Sequence, residues 1–409
     1  MDPSSLRADR VRHRLRSLVL VAVVGLAGTA SSRDVAATSP VNRLGSRTLL
    51  PPPQWRVVGS GPVSAGGMLC TQIRIAPDGA PHLAYQDFTL PSHRVAVRRF
   101  DLGAWSPLTL QGAGSTGEAW YNRMAFQSDG AIVLATRDYG VGGRLCVRSC
   151  AAPNQPWTSL GSDAISALDA HYTDIAVLPD DSVAVAFQDR ATSPPDRVSV
   201  VLWDGSAWST ISGDGVSFGI SAYPSLAVAP DGRLFAGFTD AAYGAKACVR
   251  AWRPSTNDWY PIGQQGFTPD VPNNLVLRIA PDGTPYVAYY VWATRIVVRR
   301  FDGVGWPMVG TEVDGSDIPT VETEGWRQWL GFEIDALGRP VLAYEALNRG
   351  RKAVVKRFET SSGTWEPLGV EGFTPSSADY LSLALAPDGT PYVAFRDGVT
   401  GRAAVMVYR

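Results

Sequence analysis

The sequence predicts an all-β fold: a seven-bladed β-propeller of four-stranded antiparallel blades, its ring closed by the N-terminal strand pairing with the C-terminal blade. Three observations predict it. One phrase recurs seven times: APDGAPHLAYQD from Ala76, QSDGAIVLATRD from Gln127, LPDDSVAVAFQD from Leu178, APDGRLFAGFTD from Ala229, APDGTPYVAYYV from Ala280, DALGRPVLAYEA from Asp335 and APDGTPYVAFRD from Ala386. Successive copies stand 51, 51, 51, 51, 55 and 51 residues apart. A period near 50, filled with short apolar runs and turn dipeptides, is the signature of propeller blades. A tryptophan also recurs once per unit, at Trp55, Trp105, Trp157, Trp208, Trp259, Trp306 and Trp365. Finally, the two ends complement each other. Arg409 directly follows a third strand, and Gln54–Gly59 is a fourth-strand phrase without a blade of its own.

Each unit resolves into four strands. The first ends at the Asp-Gly turn, and its inner apolar column reads Ile73, Met124, Ile175, Leu226, Leu277, Phe332 and Leu383. The second follows the turn, as in Tyr392-Val393-Ala394-Phe395. The third starts at a basic residue and runs through valines, as in Arg295-Ile296-Val297-Val298. A second hairpin signal, such as Asp302-Gly303, leads into the fourth strand, opened by tryptophan. Both faces of a blade pack on neighbouring blades, so the strands lack a polar face. The tryptophans are expected as wedges between blades. The Asp-Gly turns follow from hairpin geometry, which favours Gly at positive φ, without invoking an ion. Pairing the Trp55 segment with the last strand leaves no open edge at the seam.

Units of the form W-x-x-[VL]-G, then a Ser/Tyr-bearing segment, then PDG-x-P-Y-V-A-[YF]-x-D resemble the repeats of exported bacterial and algal β-propeller proteins. The resemblance covers residues 54–409. It implies the fold and brings no particular chemistry with it. The Asp-boxes of sialidases, S-x-D-x-G-x-T-W, are absent, because the Asp-Gly turns lead into Pro-Tyr-Val.

The N-terminus reads differently. Arg7, Arg10, Arg12, Arg14 and Arg16 precede an apolar run from Leu18 to Ala30, which ends in small residues. That pattern reads as a signal peptide over residues 1–32, followed by a flexible linker over 33–53 and the propeller over 54–409. The apolar run is shorter than the roughly 20 residues that span a bilayer. A secreted, periplasmic or cell-surface monomer is expected, with no membrane span in the mature chain. The whole chain carries a net charge of −1, and residues 1–32 contribute five arginines against two aspartates. The remainder is mildly acidic and has no basic run, which disfavours nucleic acid as a partner. No cofactor is expected.

Four cysteines in an exported chain invite disulfides, but the repeat alignment argues for buried thiols. Cys146 and Cys248 share a column with Ala96, Ser199, Val297, Val354 and Ala404, and Cys150 fills a column of aromatics. Cys146 and Cys150 lie four apart on one strand, about 13 Å, too far to bridge.

Strand order puts the start of the first strand, the end of the second and the start of the third on one rim. Two repeated features fall there. Asp87, Asp138, Asp189, Asp240 and Asp397 close second strands, while Arg94, Arg144, Arg197, Lys246, Arg295, Lys352 and Arg402 open third strands. Cross-strand ion pairs are the expectation, with Arg295 and Lys352 deprived of that partner by Val291 and Ala346. The other feature is aromatic. Eight residues before each turn Asp or its equivalent stand Cys70, Tyr121, Tyr172, Tyr223, Asn274, Trp329 and Tyr380, at the mouth of the central channel. These rings either plug the channel or offer a stacking surface. On the second reading Tyr121, Tyr172, Tyr223, Trp329 and Tyr380 are the candidate ligand-binding residues. The connection entering blade six is eight residues longer than its counterparts and carries Glu312, Asp314, Asp317, Glu322 and Glu324. It reads as a solvated acidic loop without the regular oxygen spacing of a calcium site.

Catalytic candidates are few. His171 lies within Asp169-Ala170-His171-Tyr172-Thr173-Asp174, so Asp169, His171 and Asp174 form the one acid–base cluster on the rim. There is no nucleophile elbow and no metal-ligand spacing. The expectation is an exported, non-enzymatic binding module that holds a glycan or an extracellular protein at the channel mouth. The alternative is an extracellular carbohydrate-active hydrolase or lyase centred on His171.

Overall fold

The computed structural model describes residues 52–108, 114–212, 216–291, 295–313 and 330–409. The predicted signal peptide, nearly all of the predicted linker, Trp329 and the acidic residues Asp314, Asp317, Glu322 and Glu324 lie outside the described residues.

Seven antiparallel sheets follow one another along the chain. Blade one consists of Met68–Ile75, Pro81–Asp87, Val95–Asp101 and Ala104–Pro107, paired in that order. Each innermost strand packs on that of the next blade, and the strand of blade one packs on that of blade seven, so the ring is closed. The predicted inner column is buried throughout. Second strands such as Pro81–Asp87 and Pro285–Val291 are buried at every position, because each face meets a neighbouring blade. Blade five departs from the pattern. Its first three strands (Pro272–Ile279, Pro285–Val291, Arg295–Arg300) form the sheet, and its outer edge makes only isolated bridges, Arg299 with Met308 and Ile296 with Val313. Pro307 directly after Trp306 removes an N–H that a continuous ladder would use.

The seam closes as the sequence predicts. Trp55–Val57 pairs with Ala403–Tyr408 in the register Trp55 to Tyr408, Arg56 to Val407 and Val57 to Met406. Gln54 and Arg409 exchange backbone hydrogen bonds of 3.0 and 3.1 Å. Downstream, the Val58 and Val63 amides donate to the carbonyls of Val405 and Ala403 at 2.9 and 2.7 Å.

The tryptophans are inter-blade wedges. The indole N–H of Trp55 donates to the Leu368 carbonyl at 2.7 Å, Trp105 to Val58 at 2.9 Å, Trp208 to Leu160 at 2.6 Å and Trp259 to Ile211 at 2.8 Å. Each acceptor belongs to the preceding blade. The glycine that ends W-x-x-[VL]-G follows from the same contact. Gly59 has φ +92° and a Cβ there would sit 3.1 Å from Trp105; Gly369 has φ +77° and a Cβ would sit 3.2 Å from Trp55. Backbone conformation and wedge together exclude a side chain.

All four cysteines are free and buried. Burial pushes the thiols of Cys70, Cys146 and Cys248 up to about 12, so they are protonated at neutral pH.

His82, in the second strand of blade one, is buried with Nδ1 3.0 Å from the Ala80 carbonyl and its ring edge-on to Phe126. Burial dominates and holds its pKa down to about 4, against an ordinary 6.5. The unfolded chain therefore takes up this proton at higher pH than the folded chain. The stability contribution is complete above 6.5 and is lost as pH falls towards 4, a change of about 3 kcal/mol at most. Urea midpoints at pH 7.5 and 4.5 for wild type and His82→Gln should show a flatter pH dependence in the variant. Parallel curves would show that His82 does not titrate in this window.

Candidate functional site

The channel mouth is built by a bulge repeated in the innermost strands. In blade three, His171 pairs with Gln188 and Asp174 with Ala186, so Tyr172 and Thr173 together stand opposite the single residue Phe187. The same shift falls between Leu69 and Gln72, Trp120 and Arg123, Ala222 and Ser225, Asn273 and Val276, and Asp379 and Ser382. The aromatic column is the first bulged residue. Cys70, Tyr121, Tyr172, Tyr223, Asn274 and Tyr380 all have φ between 49° and 55°. A left-handed conformation costs a non-glycine residue roughly 1–2 kcal/mol. Six such residues at one structural position mark a constraint that the ring imposes, and such constraints cluster at functional sites.

The residues after the bulge knit the blades together around the channel. The hydroxyls of Thr71 and Thr173 donate to the carbonyls of Tyr380 and Tyr121 in the preceding blades. The Ser382 hydroxyl accepts the Ile73 amide at 3.1 Å, Asp174 accepts the Leu226 amide at 2.9 Å, and Ser225 accepts the Leu277 amide at 3.1 Å. Gln72 does the same for Met124. Inner-edge amides that would otherwise face the channel are satisfied by the preceding blade.

Three of the predicted aromatics form a continuous cluster. Tyr121 and Tyr172 have ring centroids 5.0 Å apart at 46°, and Tyr172 and Tyr223 have centroids 5.0 Å apart at 58°. The Tyr223 hydroxyl continues to Asn273 Oδ1 at 3.4 Å. Tyr121 and Tyr380 are buried and Tyr172 and Tyr223 half-buried; Tyr121, Tyr172 and Tyr223 line the channel cavity. Burial raises the pKa of Tyr172, and pushes that of Tyr223 to about 12 with help from Tyr172, so both hydroxyls can donate hydrogen bonds. Cys70, between Tyr380 and Tyr121 in blade order, interrupts the aromatic run.

The three catalytic candidates separate into two environments. His171 Nε2 lies 2.9 Å from Asp169 Oδ2, and Arg137 grips the same carboxylate through Nε and Nη2, both at 2.6 Å. Burial alone would raise the Asp169 pKa. The bonds from Arg137 and His171 outweigh it and hold the carboxyl below the ordinary range. An ionised Asp169 accepts the Nε2 proton, which makes Nδ1 the basic atom of the ring. The pKa of His171 is lowered, first by burial and then by Arg137, against the pull of Asp169, so the imidazole is neutral at pH 7. Its ring centroid lies 6.1 Å from that of Tyr121 and 6.2 Å from that of Tyr172. Asp174 is engaged elsewhere, with the Leu226 amide, the Ser225 hydroxyl at 3.2 Å and Arg123 at 3.6 Å.

The acidic–basic pattern on the rim proves to be different chemistry. Asp138 faces Arg144, and Asp240 faces Lys246, in strand register as expected. Their carboxylates, however, accept backbone amides. Asp138 takes those of Thr116, Gly117 and Gly140 at 2.6–2.9 Å, and Asp240 those of Phe218, Gly219 and Ala242 at 2.9 Å each. The acids are fully buried, where fixed amide donors replace lost hydration better than a mobile basic side chain at the rim. Arg295, whose own blade lacks the Asp, pairs instead with Asp270 at 2.8 Å and Glu312 at 3.1 Å.

Below the tyrosines, the channel holds a cavity of about 120 Å³. Arg74, Arg123, Arg278, Asp174 and Glu333 line it. Sequence reasoning overlooks Arg74, Arg278 and Glu333, although a signal is present. They occupy the column four residues before the turn, which is alanine in the other four blades (Ala125, Ala176, Ala227, Ala384). Among the described residues, no group of three or more His, Cys, Asp or Glu side chains is disposed to hold a metal ion, and no helix is long and apolar enough to cross a membrane.

No family model matches the chain, and no curated protein sequence matches it. Solved structures share the fold. A fungal alcohol oxidase in complex with copper aligns with a TM-score of 0.57 at 11% identity, over 87% of this chain and 76% of its own. An ulvan lyase, a polysaccharide lyase, aligns at 0.56 and 12% identity, over 85% and 95%. YCF48 bound to a D1 peptide aligns at 0.54 and 12% identity, over 88% and 96%. At such identities the likeness is one of fold.

Proposed function

We propose that this propeller engages an extracellular carbohydrate at the tyrosine-lined mouth of its channel. The observation that carries this reading is the row Tyr121, Tyr172 and Tyr223, supplied by consecutive blades with centroids 5.0 Å apart and set at the mouth by a left-handed bulge. Phenol rings give sugars an apolar face to stack on and hydroxyls to bond.

Of the two ways to use such a mouth, chemistry has more support than binding alone. His171 is neutral, fixed through Asp169 and Arg137, and adjacent to Tyr121 and Tyr172. A neutral imidazole beside phenols is equipped for general acid–base catalysis of a hydrolytic or eliminative cleavage. Two of the three similar folds are named as enzymes, one of them acting on a polysaccharide.

A screen of soluble polysaccharides, scored for both retention and chain cleavage, tests this. Tyr172→Ala combined with Tyr223→Ala should abolish retention with a melting temperature near that of the parent. His171→Asn should retain polymer while cutting cleavage by roughly 10²–10⁴-fold. Retention without cleavage in the wild type would make the protein a binding module. Equal loss of binding and stability in the tyrosine variant would show that these rings only pack.

A further inference from the structure

The inside of the channel carries charge that the tyrosine mouth does not explain. Arg278 forms a two-pronged pair with Glu333, Nε to Oε2 and Nη2 to Oε1, both at 2.9 Å. Arg74 reaches the same Oε1 through Nη1 at 3.4 Å. Two guanidinium groups thus share one carboxylate, and the better geometry belongs to Arg278. The side chains of Arg74, Arg278 and Glu333 are 26%, 20% and 20% exposed, so bulk water screens them poorly. The other acid on the cavity wall, Asp174, is committed to the Leu226 amide and the Ser225 hydroxyl. Among the described residues the cavity wall therefore bears three arginines and two carboxylates, a net charge of +1.

The arginines respond differently to their surroundings. The pKa of Arg278 is raised, since Glu333 overcomes the effect of burial. That of Arg74 is lowered, because burial, reinforced by the like charges of Arg278 and Arg123, outweighs Glu333. Arg74 is under-compensated where Arg278 is not. Guanidinium groups bond oxyanions through paired N–H donors, and partial burial strengthens that attraction.

We propose that the channel is an oxyanion subsite, in which Arg74 and Arg278 hold the carboxylate or sulfate of an acidic sugar whose ring lies on Tyr172 and Tyr223. The assignment to a sugar rests on the carbohydrate reading above; the anion site itself does not. It narrows the ligand class from carbohydrates in general to uronate-bearing or sulfated glycans.

Calorimetric titration of the purified protein with glucuronate, with sodium sulfate and with glucose, at low and high chloride, tests the site directly. Glucuronate or sulfate should bind, glucose should not, and affinity should fall with salt. The relative strength of the two anions separates a uronate subsite from a sulfate subsite. Arg74→Gln should weaken anion binding by roughly tenfold or more, as expected for losing a charge-assisted contact. It leaves the Arg278–Glu333 pair in place, and circular dichroism should confirm the fold. Glu333→Gln removes the competing carboxylate and should tighten anion binding severalfold. Absence of anion binding in the wild type, or unchanged affinity in both variants, would overturn the site. Small anions bound through Arg74 with no polysaccharide retained would keep the site and reject the carbohydrate reading. Retention that depends on Tyr172 and Tyr223 but is indifferent to Arg74→Gln would do the reverse.

Discussion

Removing residues 54–60 should destroy the ring as a stable unit, giving insoluble protein or a melting transition lowered by roughly 15 °C or more. The segment supplies the whole outer strand of blade seven through its register with Met406, Val407 and Tyr408. It also supplies Trp55, which stacks on Phe373 with centroids 3.9 Å apart at 7° and bonds the Leu368 carbonyl. Trp55 is half-buried, so losing its side chain costs less than the about 3–5 kcal/mol of a fully buried Trp. The truncation adds the loss of several ladder hydrogen bonds and exposes the edge of Ala403–Tyr408 to other chains. Total stability of about 5–15 kcal/mol does not absorb that comfortably. Thermal melts monitored by circular dichroism check it, with Trp55→Ala as a milder companion expected to fold and melt lower. A truncated protein that melts like its parent would mean that the seam contributes nothing to the ring.

The closure is readable in the sequence because it depends on periodicity and on a phrase present once too often at one end. The wedges are readable for the same reason, and Gly59 and Gly369 then follow from the space that Trp105 and Trp55 leave. The site is less legible. The aromatic column shows in the repeat alignment, but its left-handed backbone does not. A tyrosine carries no mark of positive φ, and the bulge arises only when the inner strand curves to meet two neighbours. The rim aspartates mislead in a similar way. Their register opposite Arg144 and Lys246 is correct, but the loops that bring the amides of Thr116, Gly117, Phe218 and Gly219 to them come from the preceding connection. The channel charges are the hardest to read. Arg278 and Glu333 lie in adjacent blades, but Arg74 belongs to blade one, and only the closed ring brings all three to one cavity.

Asp138→Ala should cost about 3–5 kcal/mol, the scale of a buried charge network broken on one side. The carboxylate is fully buried and serves three backbone amides, together with the Thr116 hydroxyl at 2.9 Å. Alanine would leave these donors facing one another without an acceptor, each lost bond costing about 1–3 kcal/mol where water cannot enter. The asparagine variant keeps one oxygen and should cost less, because either the Thr116 donors or the glycine amides still find an acceptor. Two comparisons sharpen the test. Asp282, exposed on the opposite rim, accepts among the described residues the Thr284 amide at 2.9 Å, so its alanine variant should cost under about 1 kcal/mol. Arg144 is exposed, so Arg144→Ala should likewise be nearly neutral if the acid serves amides instead of an ion pair. Denaturant midpoints for the four variants decide the matter. Equal losses for Asp138→Ala and Arg144→Ala would restore the cross-strand ion pair as the source of stability. A large loss for the aspartate alone identifies Asp138, and Asp240 by the same contacts, as a brace that holds its connecting loop against its blade, and with it that side of the channel mouth.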